Sequence, residues 1–286
     1  MLSSPQPTKK TSFTTVIKLI ASDLDGTLIG HDFHFRKRTL EALSAARDAG
    51  VQLVVVTGRP FRWLDGVLGQ LPGYDSYAIC SNGAVTYHVG KGRVVATRTL
   101  ATHTVLEAHQ ILEREFPTAT FTAETVDTVF LQGDVKVEKG GPLENSELVW
   151  GNLAEILSPD AQVVKYLVRV EGCDPEDLLP RVAKLVGERV SVTHAVPGDP
   201  LIEMAAPGLN KGAVLADFAA ERGIEAHEVA AFGDMPNDLE MLQWAGHGYA
   251  LESGSPSLRQ AVARTCPAFD QDGVAQIIEK LLTRTS

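Results

Sequence analysis

Four short segments of the sequence carry side chains whose types and spacing could bind and transfer a phosphate group. Each segment lies just after an apolar run that predicts a strand. In open α/β sheets, ligands bind at the carboxyl ends of the strands, so the four segments are predicted to converge there. They are Asp23-Leu-Asp-Gly-Thr-Leu28, Val56-Thr57-Gly58-Arg59-Pro60, Lys211 after Pro207-Gly-Leu-Asn210, and Phe232-Gly-Asp-Met-Pro-Asn-Asp238.

The first segment places two carboxylates two residues apart. Asp23 and Asp25 would point the same way if strand geometry continued through them. Like charges this close repel unless a cation lies between them or one of them is protonated. Both conditions suit catalysis, with one carboxylate as nucleophile and metal ligand and the other as general acid and base. An Asx-turn that ends the strand is the structural alternative, but Asp-x-Asp-Gly-Thr is a narrow pattern.

The second and third segments are weak signals when each is taken alone. The hydroxyl of Thr57 and the backbone N–H groups of Gly58 and Arg59 could bind a phosphate oxygen, or the segment could be an ordinary glycine turn. Lys211 opens a predicted helix, where the helix dipole disfavours a cation. A phosphate or a pair of carboxylates facing this lysine would explain its position, and an exposed surface lysine is the alternative.

The fourth segment adds carboxylates that could hold a metal ion. Asp234 follows an apolar run, and Asn237 and Asp238 lie on the first turn of a predicted helix. Capping alone favours carboxylates at a helix start. Mg²⁺, however, takes oxygen ligands. Asp234, with Asp238 as a ligand or a support, would therefore complete a site begun by Asp23.

The apolar runs around these segments predict an α/β fold. Near the N-terminus, aliphatic runs alternate with one helix, as in a parallel sheet covered on both faces. After Gly83 the strand-like runs become mixed-polar, and the aliphatic pattern resumes near residue 201. The aliphatic runs are 16–22, 51–57, 76–81, 201–205 and 229–233. The mixed-polar runs are 118–123, 127–132, 162–170 and 189–193, with helices at 39–49, 103–115, 145–157, 211–222 and 273–283.

We therefore expect a doubly wound, mainly parallel, Rossmann-like core sheet built from residues 16–85 and 201–286. Residues 86–200 are expected to form an inserted α+β domain with one solvent-facing sheet surface. Residues 1–15 are rich in Ser, Thr, Pro and Lys and are expected to be a disordered leader.

Composition disfavours several classes of partner. The net charge of −10 argues against nucleic acid and anionic membranes. The three cysteines are widely spaced and form no C-x-x-C pair, so neither a disulfide framework nor a zinc site is indicated. The sequence shows no signal peptide and no apolar run of membrane-spanning length, and we expect a cytoplasmic protein.

Together, the segments resemble the four motifs of the haloacid dehalogenase-like phosphatases. The matching residues are Asp23-x-Asp-Gly-Thr, Thr57-Gly58-Arg59, Lys211 and Gly233-Asp-x-x-Asn-Asp238, in that order. With Ser81-Asn-Gly-Ala84, the pattern is similar to the Cof-like subfamily across residues 16–284. The insert then resembles the large α+β cap of that subfamily.

The resemblance implies a role for each residue. Asp23 would be the nucleophile and a Mg²⁺ ligand, and Asp25 the general acid and base, with its backbone carbonyl on the metal. Asp234 would bind Mg²⁺ with support from Asp238. The phosphoryl group or the substrate would be held by Thr57, Gly58, Arg59, Lys211 and Asn237.

The expected activity is magnesium-dependent removal of phosphate from a small phosphorylated metabolite through an aspartyl-phosphate. A phosphomutase would use the same residues, whereas a dehalogenase would not be expected to keep Asp25. A non-catalytic binding protein would be expected to have lost Asp23 or Asp25. The substrate and the oligomeric state do not follow from the sequence. Glu124, His194 and Glu203 could lie near the crevice, but a strand-end histidine and a locally paired glutamate are good structural alternatives.

Overall fold

A computed structural model describes residues 16–71, 73, 75–137, 143, 146–194 and 198–283. The expected leader, residues 1–15, lies outside the described residues. The strands, in chain order, are β1 (Leu19–Ser22), β2 (Gln52–Val56), β3 (Tyr77–Cys80), β4 (Val85–His88), β5 (Arg93–Thr97), β6 (Leu100–Ala101), β7 (Thr120–Glu124), β8 (Thr128–Gln132), β9 (Glu147–Trp150), β10 (Gln162–Val163), β11 (Lys165–Arg169), β12 (Ser191–His194), β13 (Leu201–Ala205), β14 (Val229–Gly233), β15 (His247–Leu251) and β16 (Thr265–Cys266).

The α-helices connect and cover these strands. They are α1 (Lys37–Asp48), α2 (Asp65–Leu68), α3 (Thr102–Glu115), α4 (Leu153–Ile156), α5 (Pro175–Val186), α6 (Lys211–Ala220), α7 (Leu239–Trp244), α8 (Pro256–Ala261) and α9 (Gly273–Thr283). Among the residues that the structure describes, no helix has both the length and the apolar character of a membrane span.

An eight-stranded sheet, the large sheet, has the order β16-β15-β14-β1-β2-β3-β4-β5. Its strands are parallel from β16 to β3, and β4 and β5 extend it as an antiparallel hairpin. Strand β1 shows why both faces are apolar. Ile20 packs into a core with α1 and α9, while Leu19 and Ala21 pack into a second core with α6 and α7. The expected doubly wound, mainly parallel fold is therefore confirmed.

A six-stranded sheet, the small sheet, has the order β12-β13-β11-β7-β8-β9. Neighbouring strands are antiparallel except β8 and β9, which run parallel. One face packs on α3 and α5, where Tyr166 and Val168 are buried. The half-buried alternation predicted for these strands is present in β8, whose residues alternate between intermediate and buried.

The strand pairings correct two expectations about where the insert begins and ends. The hairpin β4–β5 belongs to the large sheet rather than to the insert. Strand β13, expected to resume the parallel pattern, instead pairs antiparallel with β11 and β12. In β13, Ile202 and Met204 point into the small-sheet core, while Glu203 lies on the other face next to Lys165. This alternation suits a half-covered sheet better than a fully covered parallel one.

Two helix assignments also differ from the sequence reading. The helix expected at 145–157 is replaced by strand β9 and the short helix α4, which Asn152 caps by accepting a hydrogen bond from the Ala154 N–H. Helix α5 was not predicted, although Asp174 caps it and Pro175 starts it. The two-domain division itself stays a prediction.

Candidate active site

The predicted motifs follow three adjacent strands of the large sheet. Asp23 comes directly after β1, Thr57 directly after β2 and Asp234 directly after β14. These strands lie side by side in the order β14-β1-β2, and all three are parallel. Their carboxyl ends therefore meet at one edge of the sheet, which brings the first, second and fourth segments together as the strand pattern predicted.

Lys211 joins the first and fourth segments. Its Nζ lies 2.6 Å from Oδ1 of Asp23 and 2.6 Å from Oδ1 of Asp238, and all three side chains are buried. The lysine is the first residue of α6, which packs closely on α7. A Cβ added at Gly212 would lie 2.5 Å from the carbonyl carbon of Glu240, so this contact needs a glycine. The sequence predicted that a phosphate or a pair of carboxylates would face this lysine, and two carboxylates contact it.

Asp234 completes a cluster of three carboxylates. One oxygen from each of Asp23, Asp234 and Asp238 can be chosen so that all lie within 4.8 Å of one another. Oδ1 of Asp234 accepts a hydrogen bond from the Thr27 hydroxyl at 2.9 Å. Gly26 has a φ of +75°, and a Cβ there would lie 2.6 Å from Oδ2 of Asp234. The Asp-Gly-Thr turn and the Asp234 loop therefore fit against each other only with glycine at this position.

Asp238 is held by its own loop as well as by Lys211. Its Oδ2 accepts hydrogen bonds from the backbone N–H groups of Asp234 and Met235, both at 2.9 Å. Its Oδ1 is engaged by the lysine. Both oxygens of this carboxylate therefore already have partners, which suits a residue that fixes the loop.

Burial and mutual repulsion shift the pKa values in this cluster. Burial raises the pKa of Asp23, and Asp238 and Asp234 raise it further, while Lys211 opposes part of the shift. Burial, followed by repulsion from Asp238, raises the pKa of Asp234 to about 6. Burial alone would lower the pKa of Lys211, but Asp23 and Asp238 raise it above its ordinary value. When ionised, three carboxylates against one ammonium leave two negative charges, which a divalent cation would offset.

Asp25 has a different environment from Asp23. Arg59 donates to both of its carboxylate oxygens, at 2.6 Å from Nε and 2.5 Å from Nη2. The guanidinium carbon also lies 4.6 Å from the centre of the Phe33 ring. The Asp25 side chain is 46% exposed, whereas that of Asp23 is 8% exposed. Asp25 therefore faces the cleft, and Asp23 lies beneath it.

The Thr57 loop is fixed by the segment that follows β3. The hydroxyl oxygen of Thr57 accepts from the N–H of Arg59 at 3.1 Å. The N–H of Ser81 donates to the Arg59 carbonyl, and that of Asn82 donates to the Thr57 carbonyl. Ser81 and Asn82 have φ values of 49° and 54°, a left-handed conformation that non-glycine residues rarely adopt. Such backbone strain is typical of functional sites.

Asn82 links this loop to the small sheet, a role that the sequence reasoning missed. Its Oδ1 accepts from Asn237 at 3.1 Å, and its Nδ2 donates to Glu203 at 2.9 Å. Glu203 in turn accepts from Lys165 at 2.7 Å, and Lys165 also donates to the Gly58 carbonyl at 3.1 Å. Lys165 was not predicted either. A lysine next to the aliphatic run Val163-Val164 was the available signal.

One cleft of about 2200 Å³ is lined by both sheets. Asp234 and Asp238 are not among the residues that line it. The other predicted site residues line it, namely Asp23, Asp25, Thr57, Gly58, Arg59, Lys211 and Asn237. The three further candidates, Glu124, His194 and Glu203, line it as well. Glu203 and Glu124 are also paired, with Lys165 and Arg62 respectively, so the structural alternative holds for them at the same time.

The chain is similar to known proteins over most of its length. A family model described as haloacid dehalogenase-like hydrolase matches residues 20–278. The chain is 26% identical over 263 residues to the 5-amino-6-(5-phospho-D-ribitylamino)uracil phosphatase YitU of Bacillus subtilis, covering 92% of this chain and 96% of the relative. It is 27% identical over 246 residues to the HMP-PP phosphatase of Klebsiella pneumoniae, covering 85% and 86%.

Solved structures show the same fold. A haloacid dehalogenase-like hydrolase from Bacteroides thetaiotaomicron superposes with a TM-score of 0.74 at 23% identity. The match covers 93% of this chain and 99% of that one.

Proposed function

The chain belongs to the haloacid dehalogenase-like hydrolases, and from this premise we propose that it is a magnesium-dependent phosphatase of small phosphorylated metabolites. In the proposed reaction, Asp23 takes the phosphoryl group from the ester and water then removes it. The names of the two relatives above, both phosphatases of small phosphorylated compounds, support this substrate class.

The observation that carries the proposal is the contact between Lys211 and Asp23 at the carboxyl end of β1. A buried carboxylate 2.6 Å from a buried ammonium is oriented, and its charge is balanced without being removed. A phosphate dianion that approaches Asp23 meets repulsion, which nearby cations must offset. Lys211 would supply one of those cations and would also contact the transferring phosphoryl group.

The carboxylate cluster fits a magnesium ion. The donor set is oxygen only, and Mg²⁺ is a hard cation that prefers such ligands and keeps several waters. Within the described residues, the hydrogen bonds of Asp23 and Asp234 engage Oδ1 of each side chain, which leaves Oδ2 of each for a cation. We therefore assign Asp23 and Asp234 as ligands, with the backbone carbonyl of Asp25 beside them, and Asp238 as the residue that supports the site.

When bound, Mg²⁺ would neutralise the excess negative charge of the carboxylates and of the phosphoryl oxygens. In the first step, a carboxylate oxygen of Asp23 forms a bond to phosphorus while the bond from phosphorus to the ester oxygen breaks. Asp25, at the cleft side of the nucleophile, gives a proton to that leaving oxygen. The hydroxyl proton of Thr57 and the N–H of Gly58 hold the phosphoryl oxygens, since the N–H of Arg59 already donates to the Thr57 hydroxyl oxygen.

In the second step, a water attacks the phosphorus of the aspartyl-phosphate. Asp25, now ionised, accepts the proton of that water, and Asp23 is released as a carboxylate. Arg59 would couple substrate binding to proton transfer, because a phosphate dianion competes with Asp25 for the same guanidinium. Asp25, released from this cation when substrate binds, would take up a proton from solvent and give it to the leaving oxygen in the first step.

The small sheet and its helices, from β6 to β13, are proposed to act as a cap that covers the site and selects the leaving group. Support comes from the shared cleft and from the contacts of Glu203 and Lys165 with residues of the large-sheet side. Asn237 would act at this junction, because it contacts Asn82 directly.

The test is a screen of purified protein, with and without Mg²⁺, against sugar phosphates, nucleotides and cofactor phosphates, with released phosphate as the readout. We expect release from several esters and none with Asp23→Asn, which lacks the nucleophile. Transfer of phosphate between positions of one sugar without net release would instead indicate a phosphomutase. Full activity after exhaustive EDTA dialysis would rule out the metal requirement.

A further inference from the structure

We propose that the cleft selects phosphate esters whose leaving group is uncharged and hydroxyl-rich, and that it rejects leaving groups that carry a second anion. The inference rests on the proposed phosphatase function and narrows its substrate class. It comes from the charges and hydroxyl groups on the small-sheet face of the cleft, where the part of the substrate beyond the phosphate would lie.

The positive charge of the lysine on this face is already balanced by a neighbouring carboxylate. Lys165 is buried, and its Nζ donates to Glu203 at 2.7 Å and to the Gly58 carbonyl at 3.1 Å. Burial would lower the pKa of Lys165, but Glu203 and Glu124 raise it above its ordinary value, so the ammonium stays charged. A substrate anion would have to displace Glu203 from this ammonium, which would leave a buried carboxylate without its partner.

Two arginines that line this part of the cleft also lie beside carboxylates. Arg62, on the helical turn Phe61–Trp63 that faces the small sheet, donates to the Val126 carbonyl at 3.0 Å and to Glu124 at 3.5 Å, and its Nε is buried without a partner among the described residues. Arg169 binds both carboxylate oxygens of Asp199, at 2.5 Å and 2.8 Å. Each cation on these strands and on the facing helical turn therefore has a carboxylate beside it. Lys136 also lines the cleft but is exposed in the loop after β8, two residues beyond Asp134, where solvent screens it.

Two threonine hydroxyl groups lie in the same row as Glu203. The strand registers align Thr122, Leu167, Glu203 and Thr193 in one row across β7, β11, β13 and β12. Both threonines are half-buried and line the cleft. A threonine hydroxyl can donate and accept, and the paired carboxylates and cations offer further acceptors and donors. Substrate hydroxyls can bond to such a face without breaking any ion pair.

A second anionic group on the substrate would instead be repelled in this part of the cleft. It would lie near the buried carboxylates of Glu203 and Glu124, with the neighbouring cations already engaged. Like charges placed together in a desolvated interface are strongly unfavourable. The charged residues around this part of the cleft therefore discriminate against anions, although Lys165, Arg62 and Arg169 are themselves cations.

Two pairs of esters test the inference, and in each pair one member carries a carboxylate where the other carries an uncharged hydroxymethyl group. Glycerol 3-phosphate is compared with 3-phosphoglycerate, and sorbitol 6-phosphate with 6-phosphogluconate, by kcat/KM for phosphate release. We expect the uncharged member to be favoured by about tenfold or more in at least one pair, since a like-charge contact costs more than the 1.4 kcal/mol that this ratio represents. Ratios below about twofold in both pairs, or preference for either acid, would overturn the inference. Absence of release from every ester, including p-nitrophenyl phosphate, would overturn the proposed function and this inference with it.

Two variants of the buried pair should shift the ratio in opposite directions. Glu203→Gln leaves Lys165 without a carboxylate and should reduce the discrimination against the acids several-fold. Lys165→Met leaves Glu203 unpaired and should increase it. Loss of packing alone would lower kcat/KM for both members of each pair alike, so equal losses in both variants would count against the assignment. Asp217→Asn, which removes an exposed partner of Arg98 outside the cleft lining, is the matched control and should leave the ratio unchanged.

Discussion

The guanidinium of Arg59 binds both carboxylate oxygens of Asp25, with donor–acceptor distances of 2.6 Å and 2.5 Å. The group proposed to carry the proton is thus held by a cation that can equally bind phosphate. In this arrangement the carboxylate of Asp25 is oriented, but Arg59 engages both of its oxygens. The exchange of Arg59 from Asp25 to substrate would couple substrate binding to the availability of the acid.

The Asp25→Asn variant should separate proton transfer from nucleophilic attack. Asparagine keeps the shape and the backbone carbonyl but can neither protonate the leaving oxygen nor activate water. We expect kcat to fall by about 10²–10⁴-fold, because this is the usual worth of general acid–base catalysis. The loss should be smaller for p-nitrophenyl phosphate than for a sugar phosphate, since its leaving group needs less protonation.

The same variant offers a direct view of the intermediate. Since water attack also slows, phosphate on Asp23 should accumulate after brief incubation with an aryl phosphate. Acid quench and peptide mass spectrometry would detect it. Phosphate on a different residue would contradict the proposed mechanism.

Removal of the buried lysine should cost stability as well as activity. Lys211→Met leaves the carboxylates of Asp23 and Asp238 buried without their cation. We expect the free energy of unfolding of the metal-free protein to fall by about 3–5 kcal/mol, as for other broken buried pairs. Denaturant titration measures this change. Lys18→Met is the control, because Lys18 is exposed where it pairs with Glu228, so its removal should cost much less stability than that of the buried Lys211.

Magnesium binding should weaken as pH falls through about 6. Asp234 has a pKa raised to about 6 by burial and by Asp238, so below this pH a proton occupies the group that the metal needs. Because the folded state holds this proton more tightly than the unfolded state, the metal-free protein loses stability at this site as pH rises from about 4 to about 6.

Mg²⁺ should therefore stabilise the protein most above pH 6. Thermal unfolding with and without Mg²⁺ at about pH 5 and about pH 7.5 tests this, and near saturation at 100 times Kd the gain is about 2.7 kcal/mol. A larger gain at the lower pH would show that Asp234 does not titrate as proposed.

Deletion of the proposed cap should abolish selectivity and leave slow chemistry. A flexible linker from Arg98 to Ala206 removes β6 to β13 and keeps the large sheet, including the hairpin β4–β5. We expect slow, Mg²⁺-dependent turnover of p-nitrophenyl phosphate and no preference between the charged and uncharged esters. A variant that folds and binds Mg²⁺ but shows no turnover would mean that the cap supplies a catalytic group.

The convergence of Asp23, Thr57 and Asp234 was predictable because it depends on local features. Each follows a short aliphatic run, and parallel strands bring their carboxyl ends to one edge. The pairing of Asp25 with Arg59 was not predictable, because it depends on how two loops approach each other. The same holds for the contacts of Asn82, whose left-handed backbone has no unique sequence signature.

The errors in the fold have local physical causes. Strand β13 was assigned to the wrong sheet because four apolar residues surround Glu203 in Leu201–Ala205. Ile202 and Met204 nevertheless pack into the small-sheet core, while Glu203 lies on the other face beside Lys165. Helix α5 was missed despite its capping residue Asp174. Pro180 lies inside the helix, where proline removes a backbone hydrogen bond and argues against a helix by local propensity. Burial of Leu178, Val182 and Val186 against the small sheet outweighs that cost.

The pairing of β1 with β14 has a consequence for how the chain folds while the ribosome synthesises it. Thr27 and Asp234, which hydrogen-bond to each other, are 207 residues apart in the chain. At a synthesis rate of about 5–20 residues per second, Asp234 leaves the ribosome roughly 10–40 s after Thr27. During that interval β1 exposes an apolar edge in the nascent chain. The strands of the small sheet are synthesised during that interval. This sheet can therefore form before Lys211 is available to pair with Asp23.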